Sequence, residues 1–211
     1  MKYCIFMLTT FVIDKNSNLF KSHQLEKTEK RLKQYQQGID KIVELNKNYN
    51  LDIYIADNGH NFDDKIKIPE CIKIIKNNPN KFGVFNKGAG LLEVWRKNID
   101  ILENYDYIIH FEPRQLLIDN YFIDNFIKNP RTLFTMNANT TGAYNTGLFS
   151  CKSSELINFI RCISPESIIT NNISIEYVMY NFFTQNNILF DILDKMNLIW
   201  YDTYAKKEWN W

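Results

Sequence analysis

Asp106-Tyr-Ile-Ile-His-Phe-Glu-Pro-Arg-Gln115 is the stretch from which the rest of the chain can be read. Tyr107 to Phe111 is a short run of β-branched and aromatic residues, the composition of a buried strand, and it passes directly into a loop carrying an acid, a proline and an arginine. The carboxyl ends of strands in α/β proteins are where loops gather chemistry. Two further signatures lie upstream. Ala56-Asp-Asn-Gly-His60 follows an apolar run, and Asn86-Lys-Gly-Ala-Gly90 precedes a helical pattern.

Working outward, Lys2 to Ile13 reads as a first strand. Ser22 to Tyr49 reads as a long amphipathic helix, with Leu25, Leu32, Tyr35, Ile39, Ile42 and Val43 at helical spacing. Leu51 to Ala56 and Cys71 to Ile75 are further short strands, broken by Asp57-Asn-Gly59 and Pro69. A helix over Leu91 to Leu102 leads back to the strand Tyr107 to Phe111. This alternation predicts an α/β fold with a mostly parallel central sheet and helical crossovers. Beyond Gln115 the pattern is mixed: helices at Tyr121 to Ile127, Ser153 to Cys162 and Ile175 to Gln185, and strands at Leu133 to Met136, Leu148 to Cys151 and Leu198 to Tyr204. Asn137 to Gly147 reads as a long polar loop, and Lys206 to Trp211 as a flap or a disordered tail.

Composition narrows the function. With 211 residues, 45% of them hydrophobic and 15% aromatic, the chain can bury one substantial core. A net charge of +1 leaves no basic footprint for nucleic acid. Cys4, Cys71, Cys151 and Cys162 form no C-x-x-C pair, which argues against a zinc cluster or a disulfide scaffold and fits a reducing cytoplasm. The apolar N-terminal run is followed by Asp14, Lys15 and Asn16 rather than by small residues, so it reads as a strand and not a signal segment. No stretch approaches the roughly 20 apolar residues of a transmembrane helix. Any membrane contact is expected to be peripheral.

The order strand, Asp-Asn-Gly, Asn-Lys-Gly-Ala-Gly, strand and acidic loop resembles the GT-A-type glycosyltransferases of the family 2-like kind, closely over residues 1–115 and loosely beyond. The resemblance implies a single GT-A-like, Rossmann-like domain over 1–211, with a nucleotide-binding half (1–115) and an acceptor and sugar half (116–211). It implies a nucleotide-sugar donor, UDP-linked by preference, and a glycan or lipid-linked glycan acceptor. By the same resemblance Thr9 and Thr10 line base and ribose, Asp57 contacts the base with Asn58 beside it, and Asn86, Lys87 and Gly88 lie beside the nucleotide. Thr146 and Gly147 in Asn145-Thr-Gly-Leu-Phe149 approach the donor sugar, and Glu176 is the matching catalytic base for an inverting transfer.

Where that family carries Asp-x-Asp to hold a divalent metal, this chain has Glu112-Pro113-Arg114. One carboxylate remains, and a guanidinium whose planar fork suits phosphate replaces the other. Arg114 is therefore expected to do part of a metal's work, and a metal, if one is used, would be Mn2+ or Mg2+ with Glu112 as its first ligand and Asp119 or Asp202 in support. Each piece has an ordinary alternative. Asp-Asn-Gly is a common turn, Asn-Lys-Gly-Ala-Gly a plain loop before a helix, Glu112 and Arg114 a surface ion pair, and Glu176 an acid suited to a helix's first turn. Glu155 and Glu166 compete less well for the base. His110 should face away from Phe111 as a core or supporting histidine. Trp200 reads as core, while Tyr201, Tyr204, Trp209 and Trp211 could stack on a sugar or close over the nucleotide. The rival functions are a non-catalytic nucleotide- or glycan-binding module and a sugar-phosphate nucleotidylyltransferase, whose glycine- and arginine-rich loop is missing after the first strand.

Overall fold

A computed structural model of the chain describes residues 1–13, 28–59, 66–77, 80–136, 142–201 and 208–210. Its first half runs β1 (Tyr3–Thr9), α1 (Thr28–Asn46), β2 (Asp52–Asp57), β3 (Ile72–Lys76), α2 (Lys87–Lys97), α3 (Ile99–Leu102) and β4 (Tyr107–Phe111). After β4 come β5 (Leu116–Leu117), α4 (Tyr121–Lys128), β6 (Leu133–Phe134), β7 (Leu148–Lys152), α5 (Ser153–Cys162), α6 (Pro165–Thr170), α7 (Ile175–Gln185), β8 (Asp191–Ile192), β9 (Leu198–Tyr201) and β10 (Glu208–Asn210).

Seven strands form one sheet in the order β3-β2-β1-β4-β7-β6-β8. All its neighbours pair in parallel except β7, which runs antiparallel to both β4 and β6. The sheet is therefore mostly parallel with a mixed second half, as the alternation predicts. Both faces are covered. Along β1, Cys4, Phe6 and Leu8 enter one core with Trp95, Phe149, Phe159 and Phe183, while Ile5 and Met7 enter the other with Ile39, Ile42, Phe111 and Phe126. Each fully buried large side chain in these layers contributes about 1.5–3 kcal/mol. A second sheet, β10-β9-β5, is antiparallel and begins right after the Glu112 to Gln115 loop.

Several boundaries differ from the sequence expectation for identifiable reasons. The first strand ends at Thr9 rather than Ile13, and the described part of the first helix is Thr28–Asn46, residues 22–27 lying outside the described set. Asn86-Lys-Gly-Ala-Gly90 is not a loop before a helix. The Asn86 side chain accepts from the Ala89 N–H at 3.1 Å, so Asn86 is the N-cap and Lys87 opens α2. The helical run expected over Leu91 to Leu102 breaks at Asn98, whose buried amide donates to the Val94 carbonyl at 2.7 Å and to Asn77 Oδ1 at 3.1 Å, competing with the helix's own bonds. The tail is a strand at Glu208–Asn210 paired to β9. No helix among the described residues is long and apolar enough to cross a membrane.

His110 lies on β4, facing the core opposite to that of Phe111. It is fully buried, stacked on Phe149 with centroids 4.9 Å apart, and its Nδ1 accepts from Trp95 Nε1 at 3.3 Å. Burial holds the ring neutral, with its pKa lowered to about 4. An unfolded histidine protonates near pH 6.5, so between those values the unfolded chain binds more protons than the folded one. This contribution to stability is whole above about pH 6.5 and is lost as pH falls towards 4, by up to about 3 kcal/mol. Urea unfolding followed from pH 7.5 to 4.5 should show this loss, and His110→Gln should flatten it. An equal slope in both proteins would remove His110 as its cause.

Candidate functional site

The parallel register sets the ends of β1 and β2 side by side, Thr9 by Asp57, and ends β4 two residues earlier, with Met7 beside Phe111, the residue before Glu112. Thr9 Oγ1 donates to Asp57 Oδ1 at 2.9 Å, the Phe11 N–H to the same oxygen at 3.1 Å, and the Gly59 N–H to Oδ2 at 3.2 Å. Asp57 is buried, and desolvation raises its pKa despite those donors. Its carboxylate thus ties the end of β1 to the turn after β2. Next to it, Thr10 and Asn58 bond side chain to side chain, and both are partly exposed. The Thr10 backbone is held by Tyr35 Oη (3.0 Å to its N–H) and by Arg31 Nε (3.0 Å to its carbonyl).

Residues 112–115 form a turn closed by the Gln115 N–H donating to the Glu112 carbonyl at 3.0 Å. The Glu112 N–H in turn donates to the Gly147 carbonyl at 2.8 Å, so the acid is pinned between two chain segments. Beneath the turn lies α1. A Cβ on Gly38 would meet the Pro113 carbonyl oxygen at 1.9 Å and the Gln115 oxygen at 2.9 Å, so only glycine fits. Arg114 is turned towards the same helix, donating from Nε to Gln34 Oε1 at 3.2 Å. The buried Gln115 side chain packs over Gly147, where a Cβ would meet Nε2 at 1.9 Å, and the Gly147 N–H donates to Asn145 Oδ1 at 2.9 Å. Gly38, Gln34, Gln115 and Asn145 thus set the loop's shape without having been singled out from sequence. A glycine in mid-helix was the one available signal.

Two helix N-termini meet beside this loop. Gly88 in the first turn of α2 packs on Ile175, the first residue of α7, where a Cβ would lie 2.8 Å from the Ile175 Cβ. The glycines at 88 and 147 are accordingly filled by protein, and Gly90 likewise by Gly83. Lys87 Nζ lies 3.3 Å from Glu112 Oε2. The carboxylate of Glu112 raises the Lys87 pKa, with desolvation opposing and Glu176 adding to the rise. Burial pushes Glu112 up, but Lys87, His110 and Arg114 together outweigh it, and its pKa is lowered. Glu176, in the first turn of α7, accepts from Thr146 Oγ1 at 3.1 Å. Lys87, Glu112, Arg114, Thr146 and Glu176 therefore come together at one edge of the sheet, with Thr9, Thr10, Asp57 and Asn58 on neighbouring strand ends.

Other candidates stand apart. Asp119 accepts from the Tyr121 N–H and from Asn197 Nδ2, both at 2.9 Å, at the start of α4. Glu155 accepts from Thr132 and Glu166 from Ser164, and neither is among the charges acting on Lys87 or Glu112. Trp200 and Tyr201 lie on β9 and Trp209 on β10, while His60, Asp202, Tyr204 and Trp211 lie outside the described residues. Among the described residues no three His, Cys, Asp or Glu come together as metal ligands. Glu112 has an ammonium on one oxygen and a guanidinium acting on it as well. This donor set does not fit a divalent cation.

The contact under the turn is testable. Gly38→Ala should lower stability by about 1–3 kcal/mol, read as a shift in the denaturation midpoint, because the turn's carbonyls cannot yield without moving Glu112. A neutral Gly38→Ala would mean that α1 does not hold the turn.

No family model and no curated protein sequence matches the chain. Its fold is similar to the crystal structure of a candidate nucleotide-diphospho-sugar transferase from Desulfovibrio desulfuricans G20, with a TM-score of 0.56 and 10% identity over 92% of this chain and 80% of that one. A slighter likeness is to the bifunctional IspDF of Campylobacter jejuni, with a TM-score of 0.48 and 9% identity over 92% of this chain but only 49% of that one. The similarity is one of fold: an α/β domain whose mostly parallel central sheet is flanked by helices.

Proposed function

We propose that the chain is a glycosyltransferase that takes a sugar from a nucleotide diphosphate, UDP by preference, and passes it to a glycan or lipid-linked glycan hydroxyl with inversion. The observation that carries this reading is the convergence of Lys87, Glu112, Arg114, Thr146 and Glu176 where two helix N-termini meet. The first turns of α2 and α7 leave backbone N–H groups without helical partners, and their dipoles favour an anion. Lys87 and Arg114 add two cations to them. At about 5 Å each attracts one phosphate charge by roughly 3 kcal/mol at an effective dielectric near 20. Such preset charges stabilise a departing diphosphate more than they stabilise the bound donor.

Glu176 is the proposed base. Its carboxylate is oriented by the Thr146 hydroxyl and takes the proton from the acceptor hydroxyl as that oxygen attacks the anomeric carbon. Thr10 and Asn58 form the rim on which the nucleoside would rest, and Asp57 shapes that rim from beneath.

Calorimetric titration with UDP, GDP and dTDP is expected to show binding of at least one of them, and the matching nucleotide sugars are expected to be hydrolysed slowly without acceptor. Glu176→Gln should lower transfer by about a hundred- to ten-thousand-fold while leaving nucleotide affinity within about twofold. Failure of all three nucleotides to bind would overturn the donor site. Binding with no hydrolysis or transfer would point instead to a non-catalytic binding module.

A further inference from the structure

Glu112 occupies the position at which the resemblance leads one to expect a metal ligand, yet its surroundings suit a different task. Its backbone is bonded on both sides, to the Gly147 carbonyl and the Gln115 N–H, so the chain fixes where its side chain begins. Its side chain is only 16% exposed, and Oε2 meets Lys87 Nζ at 3.3 Å. Lys87 is the first residue of α2, where the helix dipole disfavours a cation. Glu112, with Oε2 at 3.3 Å from the ammonium, offsets that cost. Among the described residues, neither the ligand count nor the charge around Glu112 suits a divalent ion.

We infer that Lys87 is the site's built-in cation, and that Glu112 is a positioning residue that holds the Lys87 ammonium towards the donor's diphosphate in the place where a divalent metal would otherwise bind. The inference rests on reading the site as a nucleotide-diphosphate site. Lys87 and Arg114 then contact the diphosphate, and Glu112 acts through Lys87. The ammonium also keeps metals away: with Lys87 gone, only Arg114 still acts on Glu112, and the carboxylate together with the diphosphate's own oxygens can hold a metal–nucleotide complex.

Two signs distinguish this role from the alternatives. If Glu112 were only a negative charge near the phosphates, Glu112→Gln would tighten UDP binding; if it aims Lys87, the same change weakens binding. Titration calorimetry with UDP should give wild-type affinities that agree within about twofold in chelator and in manganese, whereas Glu112→Gln should bind at least tenfold more weakly in both. Lys87→Ala and Lys87→Met should bind poorly in chelator and regain tenfold or more with manganese, and the loss of free Mn2+ signal in electron paramagnetic resonance should report the captured ion. Lys87→Arg should stay indifferent to manganese. Thermal melts of each variant establish that it is folded. Wild-type binding that requires manganese, or unchanged or tighter UDP binding by Glu112→Gln, would overturn the inference while leaving the donor site standing. No binding of UDP, GDP or dTDP by the wild type would remove both.

Discussion

The burial of both faces of β1, β2 and β4 governs everything else in this molecule. A parallel strand covered by helices on each side carries its polar groups mostly at its ends, and the register sets Thr9 beside Asp57 with the end of β4, Phe111, two residues back beside Met7. Polar chemistry is therefore delivered to one edge of the sheet whatever the loops contain. β7 adds to this by running antiparallel to β4, which brings Gly147, the residue before β7, back to the Glu112 N–H. The loop after β4 is held from three directions: by Gly147, by α1 under Gly38, and by the buried Gln115 amide.

This rigidity bears on how charges can be used. Glu112 has a bonded backbone and a mostly buried side chain, which leaves its carboxylate few ways to turn from Lys87, whose own end is exposed. An isolated exposed pair would contribute little to stability. Its value here is geometric, in that it sets where a positive charge stands before any ligand arrives.

How much of this the sequence declares varies with the physics. The run Tyr107 to Phe111 announces itself because a strand buried on both faces is continuously apolar, and Ser153 to Cys162 and Ile175 to Gln185 because helical spacing repeats over several turns. β5 and β8 have two residues each and no period to detect. α6 did have a signal, since Ser164-Pro165-Glu166 combines an N-cap, a proline at the first position and an acid in the first turn. The glycines of Asn86-Lys-Gly-Ala-Gly90 are legible as close-approach positions, but what approaches them is not. Ile175 and Gly83 fill the space, and those partners are set by tertiary packing. Asp57 is likewise visible as a turn residue, while its three internal donors become apparent only when the end of β1 is laid beside it.

A site assembled this way begins in charge balance: Lys87 and Arg114 against Glu112 and Glu176. Lys87 is paired with Glu112, on which Arg114 also acts, and this offsets the cost of bringing like charges close together. On the proposed reading, a diphosphate would add negative charge to a neutral cluster. In that reading direction counts for more than net charge, because two helix N-termini meet beside the loop and the Lys87 ammonium stands 3.3 Å from Glu112. A metal-bound site must recruit its cation with each donor molecule. A site whose cation belongs to the chain, as proposed for Lys87, would be ordered beforehand and leave the binding energy of a nucleotide to act on the bond that breaks.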